Sequence, residues 1–141
     1  MSTSPSPEQI RSLAQRAQIF GLPDKQSLNS DLRDILANAN REARLLTAEE
    51  ITHACHYSGV TASPLIQLQN QASNLVDSAR EALLAQQPSL VLAGGALSPQ
   101  ERADACWRDC FHFLRISFYA VAAGESTFTD PSGLKAMEEL Y

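Results

Sequence analysis

The chain has 141 residues, of which 44% are apolar and 19% charged, the size and balance of one globular domain able to bury roughly two thirds of its unfolded surface. A net charge of −5 with no clustered basic face argues against a nucleic-acid partner, and the start of the chain lacks the basic-then-apolar layout of a secretory signal. No run approaches the ~20 apolar residues of a membrane span, and three cysteines, an odd count, suit a reducing cytosolic compartment better than a disulfide framework.

Every segment reads as helix, with no period-two alternation to compete, so the fold class is all-α. Ser6 caps a first helix, Pro7 takes its first position and Gln9 completes a capping box. Ile10, Leu13, Ala14, Ala17 and Phe20 then recur at helical spacing until Gly21-Leu22-Pro23. Residues 1–26 thus form an N-terminal extension with a short amphipathic helix, which either packs back on the domain or docks a partner.

Residues 27–141 form the main helical domain. A helix from Ser30-Asp31 carries Leu32, Ile35, Leu36 and Ala39 to about Leu46. Thr47 and Glu50 form a second capping box, opening a helix that runs towards Gly59. One long helical region is expected from about Ser63 to Gln87, with Leu65, Leu68, Ala72, Leu75, Ala79, Leu83 and Leu84 as its apolar stripe. Pro88 to Ser98 is a loop, loosened by Gly94-Gly95. A further helix spans about Ser98 to Ala123 and stops at Gly124, and Thr129-Asp130-Pro131 starts a last one bearing Leu134, Met137, Leu140 and Tyr141.

The helix before Gly124 carries the chemistry. Cys106, Arg108 and Asp109 fall within two turns, with Arg102 one turn earlier, so Cys106 and Asp109 project from one side and Arg108 from the flank. A sulfur nucleophile, an anion and cations at this spacing suit an extended conjugated molecule with acidic arms. They also suit an amphipathic helix with a buried cysteine and solvated charges. Cys106, Cys110 and His112, and separately His53, Cys55 and His56, lack the paired-knuckle spacing of a zinc site, so no metal is expected. No Ser/His/Asp set, phosphate loop or carboxylate pair suggests an enzyme.

The order Cys-x-Arg-Asp, then Leu114-Arg115, Tyr119 and Ala123-Gly124, resembles the chromophore-bearing helix of phycobiliproteins, the light-harvesting subunits of phycobilisomes. Pro88, Gly94-Gly95 and Cys106 follow in the family's order. Glu42-Ala43-Arg44, Leu46 and Thr47 are similar to the turn of its first helical hairpin. Gly133-Leu134 and Glu139-Leu140-Tyr141 are similar to a later segment, nearest to allophycocyanin α-type chains. The likeness runs over about residues 27 to 141.

The resemblance implies a globin-like fold with an N-terminal helical hairpin, here ending before the family's last two helices, so that an apolar groove is left for a partner. It implies a linear tetrapyrrole, phycocyanobilin by preference, held by a thioether at Cys106. Asp109 would accept hydrogen bonds from the pyrrole nitrogens, Arg108 would pair with a propionate, and Arg102 with a second. It further implies a hetero-oligomer, pairing through the hairpin at about Ser30 to Tyr57 with a β-type subunit or with phycobilisome core or linker proteins, on the cytoplasmic face of the thylakoid. A pigment-free interaction protein and a bilin-handling assembly or degradation factor are the alternatives. The family's paired tyrosines after the Asp are His112 and Phe113 here, its Asn-Ala-Tyr is Ala96-Leu97-Ser98, and the connection near residues 57–63 is shorter, so the far wall of the pocket departs from the pattern.

Overall fold

The computed structural model describes residues 4–16 and 20–140, the last by its backbone only. Ala17, Tyr141 and the Leu140 side chain, all assigned above to apolar stripes, lie outside the described residues. Among these residues there are seven α-helices and no strand: α1 (Pro7–Arg16), α2 (Ser30–Arg41), α3 (Ala48–Ser58), α4 (Ala62–Gln69), α5 (Ala72–Gln86), α6 (Gln100–Ala123) and α7 (Pro131–Leu140). The architecture is that of the globin-like, all-helical class expected.

The helix starts follow local chemistry. Gln9 N–H donates to Ser6 Oγ (3.2 Å) while Gln9 Oε1 accepts from the Ser6 amide (2.7 Å), and Thr47 and Glu50 make the same reciprocal pair at α3. Asn29 caps α2 by accepting from the Asp31 amide at 2.8 Å. Gly124 ends α6 with φ 67°, a left-handed conformation that glycine adopts without a Cβ clash.

Two boundaries differ from expectation. Helix α2 ends at Arg41 rather than near Leu46. The Arg44 amide bonds to the Ala39 carbonyl (3.1 Å) and the Ala43 amide to Asn40 (3.0 Å), with Ala43 at φ 52°. This is a Schellman stop in which alanine takes the position glycine usually fills. The long helix expected from Ser63 to Gln87 is two helices. At Asn70-Gln71 the Gln71 amide closes on the Leu68 carbonyl (3.0 Å), and the buried Gln69 side chain leaves the helix surface to donate to the Leu46 carbonyl (2.5 Å). The bend lets α4 and α5 each lie against α6.

The core is built around the C-terminal half of α6. Ile116, Phe118, Tyr119, Ala120, Ala122 and Ala123 meet Leu32, Leu36 and Ala39 of α2, Ile51, Ala54 and Cys55 of α3, and Leu65 of α4. Each fully buried large side chain contributes roughly 1.5–3 kcal/mol over its exposed state. The apolar face of the α2–α3 hairpin is thus buried within its own chain.

The extension is tied in at its end. Leu22 is completely buried in the core, the Gly21 amide donates to the Phe128 carbonyl (2.8 Å), and Lys25 pairs with Glu125 (2.7 Å). Helix α1 packs against α7, which agrees with the packed-back reading. That cover is partial: no residue of α1 is buried, and Ile10 and Leu134 remain 43% and 42% exposed, whereas Ala136 is buried.

Candidate functional site

Helix α6 has two unlike halves. From Arg115 onward most of its residues are buried, but between Gln100 and Leu114 only Ala103 is. The residues singled out from the sequence all fall on the open half. Cys106 and Asp109 are half-buried on adjoining positions of one side, and Arg102 and Arg108 are exposed. The loop that delivers the chain to this half is tight. The Leu97 amide bonds back to Leu90 (2.8 Å), and a Cβ on Gly95 would sit 2.3 Å from the Ser89 carbonyl oxygen, so only glycine fits.

Where the open half faces α5, the two helices leave an apolar cavity of about 360 Å³, lined by Leu75, Val76, Ala79, Trp107, Cys110 and Leu114. Trp107, Cys110 and Leu114 recur at three- and four-residue intervals and share one face of α6. Sequence reasoning took Cys110 as core or a pocket wall but did not find Trp107 or the α5 side of this wall. The spacing was readable, but the separation of α5 from α6 was not. The thiol lining the cavity is that of Cys110, with Cys106 one turn away.

Burial, and then the neighbouring Cys110 thiol, raise the Cys106 thiol above its ordinary range, with Asp109 adding to the effect. His112 is lowered, first by burial and then by Arg115, so it is held neutral. Its Nδ1 accepts from Arg115 Nε at 3.1 Å.

Arg115 is the second feature the motif order marked without explaining. It is buried, and its Nη1 donates to Asn40 Oδ1 (3.0 Å) and to the Tyr119 hydroxyl (2.9 Å), while its guanidinium lies 5.3 Å from the Tyr119 ring centre. The Tyr119 hydroxyl in turn donates to the Arg44 carbonyl. Arg44 forks onto Glu50 (2.7 and 3.2 Å). The Arg115-to-Tyr119 interval is thus a polar bolt joining α6 to the turn of the α2–α3 hairpin, beneath the open half that carries Cys106.

The donor set suits a flat, conjugated, acidic molecule: an apolar slot with an indole wall, a thiol and a carboxylate at its edge, and two exposed guanidinium groups for acidic arms. Among the described residues no three His, Cys, Asp or Glu side chains converge as metal ligands, and no helix is long and apolar enough to cross a membrane.

The model of the phycobilisome protein family matches residues 34–141. The chain is 30% identical over 109 residues to the allophycocyanin α subunit of a Picosynechococcus species, covering 75% of this chain and 68% of that one. It is 39% identical over 75 residues to the C-phycocyanin β chain of Aglaothamnion neglectum, covering 53% and 44%. It is 31% identical over 110 residues to the R-phycocyanin β subunit of a Synechococcus strain, covering 76% and 64%. The match therefore spans under half the length of the first of the phycocyanin β chains and about two thirds of allophycocyanin α. No solved structure matches. With three quarters of its length matched by the family model, the chain belongs to the phycobilisome protein family.

Proposed function

We propose that this chain is a bilin-carrying, light-harvesting subunit of a phycobilisome. The observation that carries the reading is the position of Cys106, Arg108 and Asp109 together on the open half of α6, next to an apolar cavity, in a chain of this family.

A bound linear tetrapyrrole, phycocyanobilin by preference, supplies the visible absorption and passes excitation to neighbouring pigments. The protein's own part is attachment and rigidity. Cys106 Sγ is the anchoring thiol. Because burial and Cys110 keep it protonated, its attachment calls for an activating partner rather than free reaction. Asp109 holds the inner N–H groups by charge-assisted bonds, roughly twice as strong as neutral ones. Arg108 on one flank and Arg102 one turn before Cys106 pair with the propionate arms. Trp107, Leu114, Leu75 and Val76 exclude water from one face of the ring system. The rigid C-terminal half of α6, bolted through Arg115, keeps the anchoring half from twisting.

In this reading the chain works in a hetero-oligomer with a β-type subunit or with phycobilisome core or linker proteins, at the cytoplasmic face of the thylakoid. Co-expression with bilin synthesis and a lyase tests it. A purified chain with stable visible absorption supports the reading. A folded, colourless chain that binds phycobilisome proteins would make it a pigment-free interaction protein. Pigment that leaves on dilution would make it a bilin-handling factor.

A further inference from the structure

His112 follows Asp109 and Arg108 on α6 by three and four residues, so it neighbours both on the helix surface. It is half-buried, and its Nδ1 accepts from Nε of the buried Arg115 at 3.1 Å. Arg115 Nη1 is engaged by Asn40 and Tyr119, which leaves His112 as the acceptor for Nε. A ring nitrogen that accepts carries no hydrogen, so the imidazole is neutral and protonated at Nε2. A further proton would go to Nδ1, where it would face the Arg115 N–H donor against donor and cation against cation.

The charges that act on the ring are Arg115, Asp109 and Arg108, all on α6. The two arginines oppose a proton there and Asp109 favours it. The helices packed against α6 add little to this balance. Helix α4 has no ionisable side chain, and α5 turns Leu75, Val76 and Ala79 to the cavity while Asp77 and Arg80 pair with each other (3.3 Å). From α2, Asn40 is neutral and Asp31 is bonded by Tyr57. From α3, His53 and His56 lie against Tyr57, and Glu50 is forked by Arg44.

We propose that neutral His112 is the positioning residue of the α6 bolt: it holds Arg115 beneath the open half that carries Cys106, and gaining a proton releases that hold. Burial, and then Arg115, keep the ring below the ordinary histidine range in the folded chain. Unfolding in mild acid therefore takes up a proton. The stability from this contact is full above the unfolded value of about 6.5 and is lost as pH falls from there towards the lower folded value. The consequence for pigment geometry rests on the proposed function; the hold on Arg115 does not.

The full-length chain without pigment is unfolded in urea at steps from about pH 7.5 to about pH 5, above the range in which Glu50 acts. The wild-type unfolding constant should rise as pH falls below about 6.5, by up to about tenfold per pH unit, the limit for one proton. His112→Gln offers Arg115 a carbonyl oxygen that does not titrate. It should stay close to wild type at the upper end and lose that part of the slope. His112→Lys sets a permanent cation against Arg115 and should be less stable throughout. A His112→Gln slope equal to that of wild type overturns the proposal, as does a His112→Lys chain as stable as wild type; where the lysine variant does not fold, the glutamine profile decides. Pigment is scored on separately prepared, co-expressed protein, where His112→Lys should weaken the long-wavelength band relative to His112→Gln at equal pigment load. A chain that takes up no pigment fails the proposed function, while the urea profile alone decides the role of His112.

Discussion

Tyr119, completely buried in the C-terminal half of α6, donates its hydroxyl hydrogen to the Arg44 carbonyl in the turn that ends α2. The same hydroxyl accepts from Arg115, which also reaches Asn40 of α2. This contact fixes the hairpin to the helix that carries Cys106, so the stability of the fold and the geometry of the site are linked here.

Tyr119→Phe keeps the ring and removes the hydroxyl. It leaves the Arg44 carbonyl without this donor and one Arg115 N–H unmatched, a loss of about 1–3 kcal/mol. Urea denaturation followed by far-ultraviolet circular dichroism should show a lower midpoint with an unchanged slope.

Ala43 takes the left-handed position of the α2 stop, at φ 52°. A Cβ in that region costs roughly 1–2 kcal/mol, part of which glycine gives back through its greater unfolded-state freedom. Ala43→Gly should therefore stabilise the chain by up to ~1 kcal/mol in the same denaturation assay. Gly124→Ala, the reverse change at φ 67° with Ser58 Cβ 3.3 Å from the new methyl, should destabilise it.

Glu50 is held below the ordinary glutamate range, chiefly by its hydrogen bonds from Arg44. A carboxylate lower in the folded than in the unfolded chain adds stability above its unfolded value and loses it as pH falls through the folded one. The wild type should thus lose stability below about pH 5. Glu50→Gln keeps a capping acceptor for Thr47 but not the ion pair, so it should be less stable at pH 7 and show a shallower acid slope.

Asp109→Asn should weaken and blue-shift the long-wavelength band of the pigmented chain without releasing the pigment, since the neutral amide cannot compensate a protonated ring system. Absorption spectra of the native and acid-denatured protein separate a changed environment from a changed amount.

What could be read from the sequence was local. The capping boxes at Ser6/Gln9 and Thr47/Glu50 and the Gly124 stop depend on neighbouring residues, so their chemistry is written in adjacent letters. The end of α2 at Ala43 was hidden because alanine gives no left-handed signal. The break between α4 and α5 was hidden because Gln69 bonds to Leu46, 23 residues away. The burial of the hairpin's own apolar face and of Leu22 depends on tertiary packing, which no periodicity encodes. At the site, the positions of Cys106, Arg108 and Asp109 on one helix were legible from spacing. The cavity itself, with Trp107 and the α5 side of its wall, required the distance between α5 and α6.

The central claim is that Cys106 anchors a bilin. Wild type and Cys106→Ala, each co-expressed with bilin synthesis and a lyase, are run on a denaturing gel and imaged for bilin fluorescence, with Cys55→Ala as the buried-thiol control. The account predicts a fluorescent band for wild type and Cys55→Ala and none for Cys106→Ala at equal protein load. A Cys106→Ala chain that stays fluorescent after denaturation would contradict it.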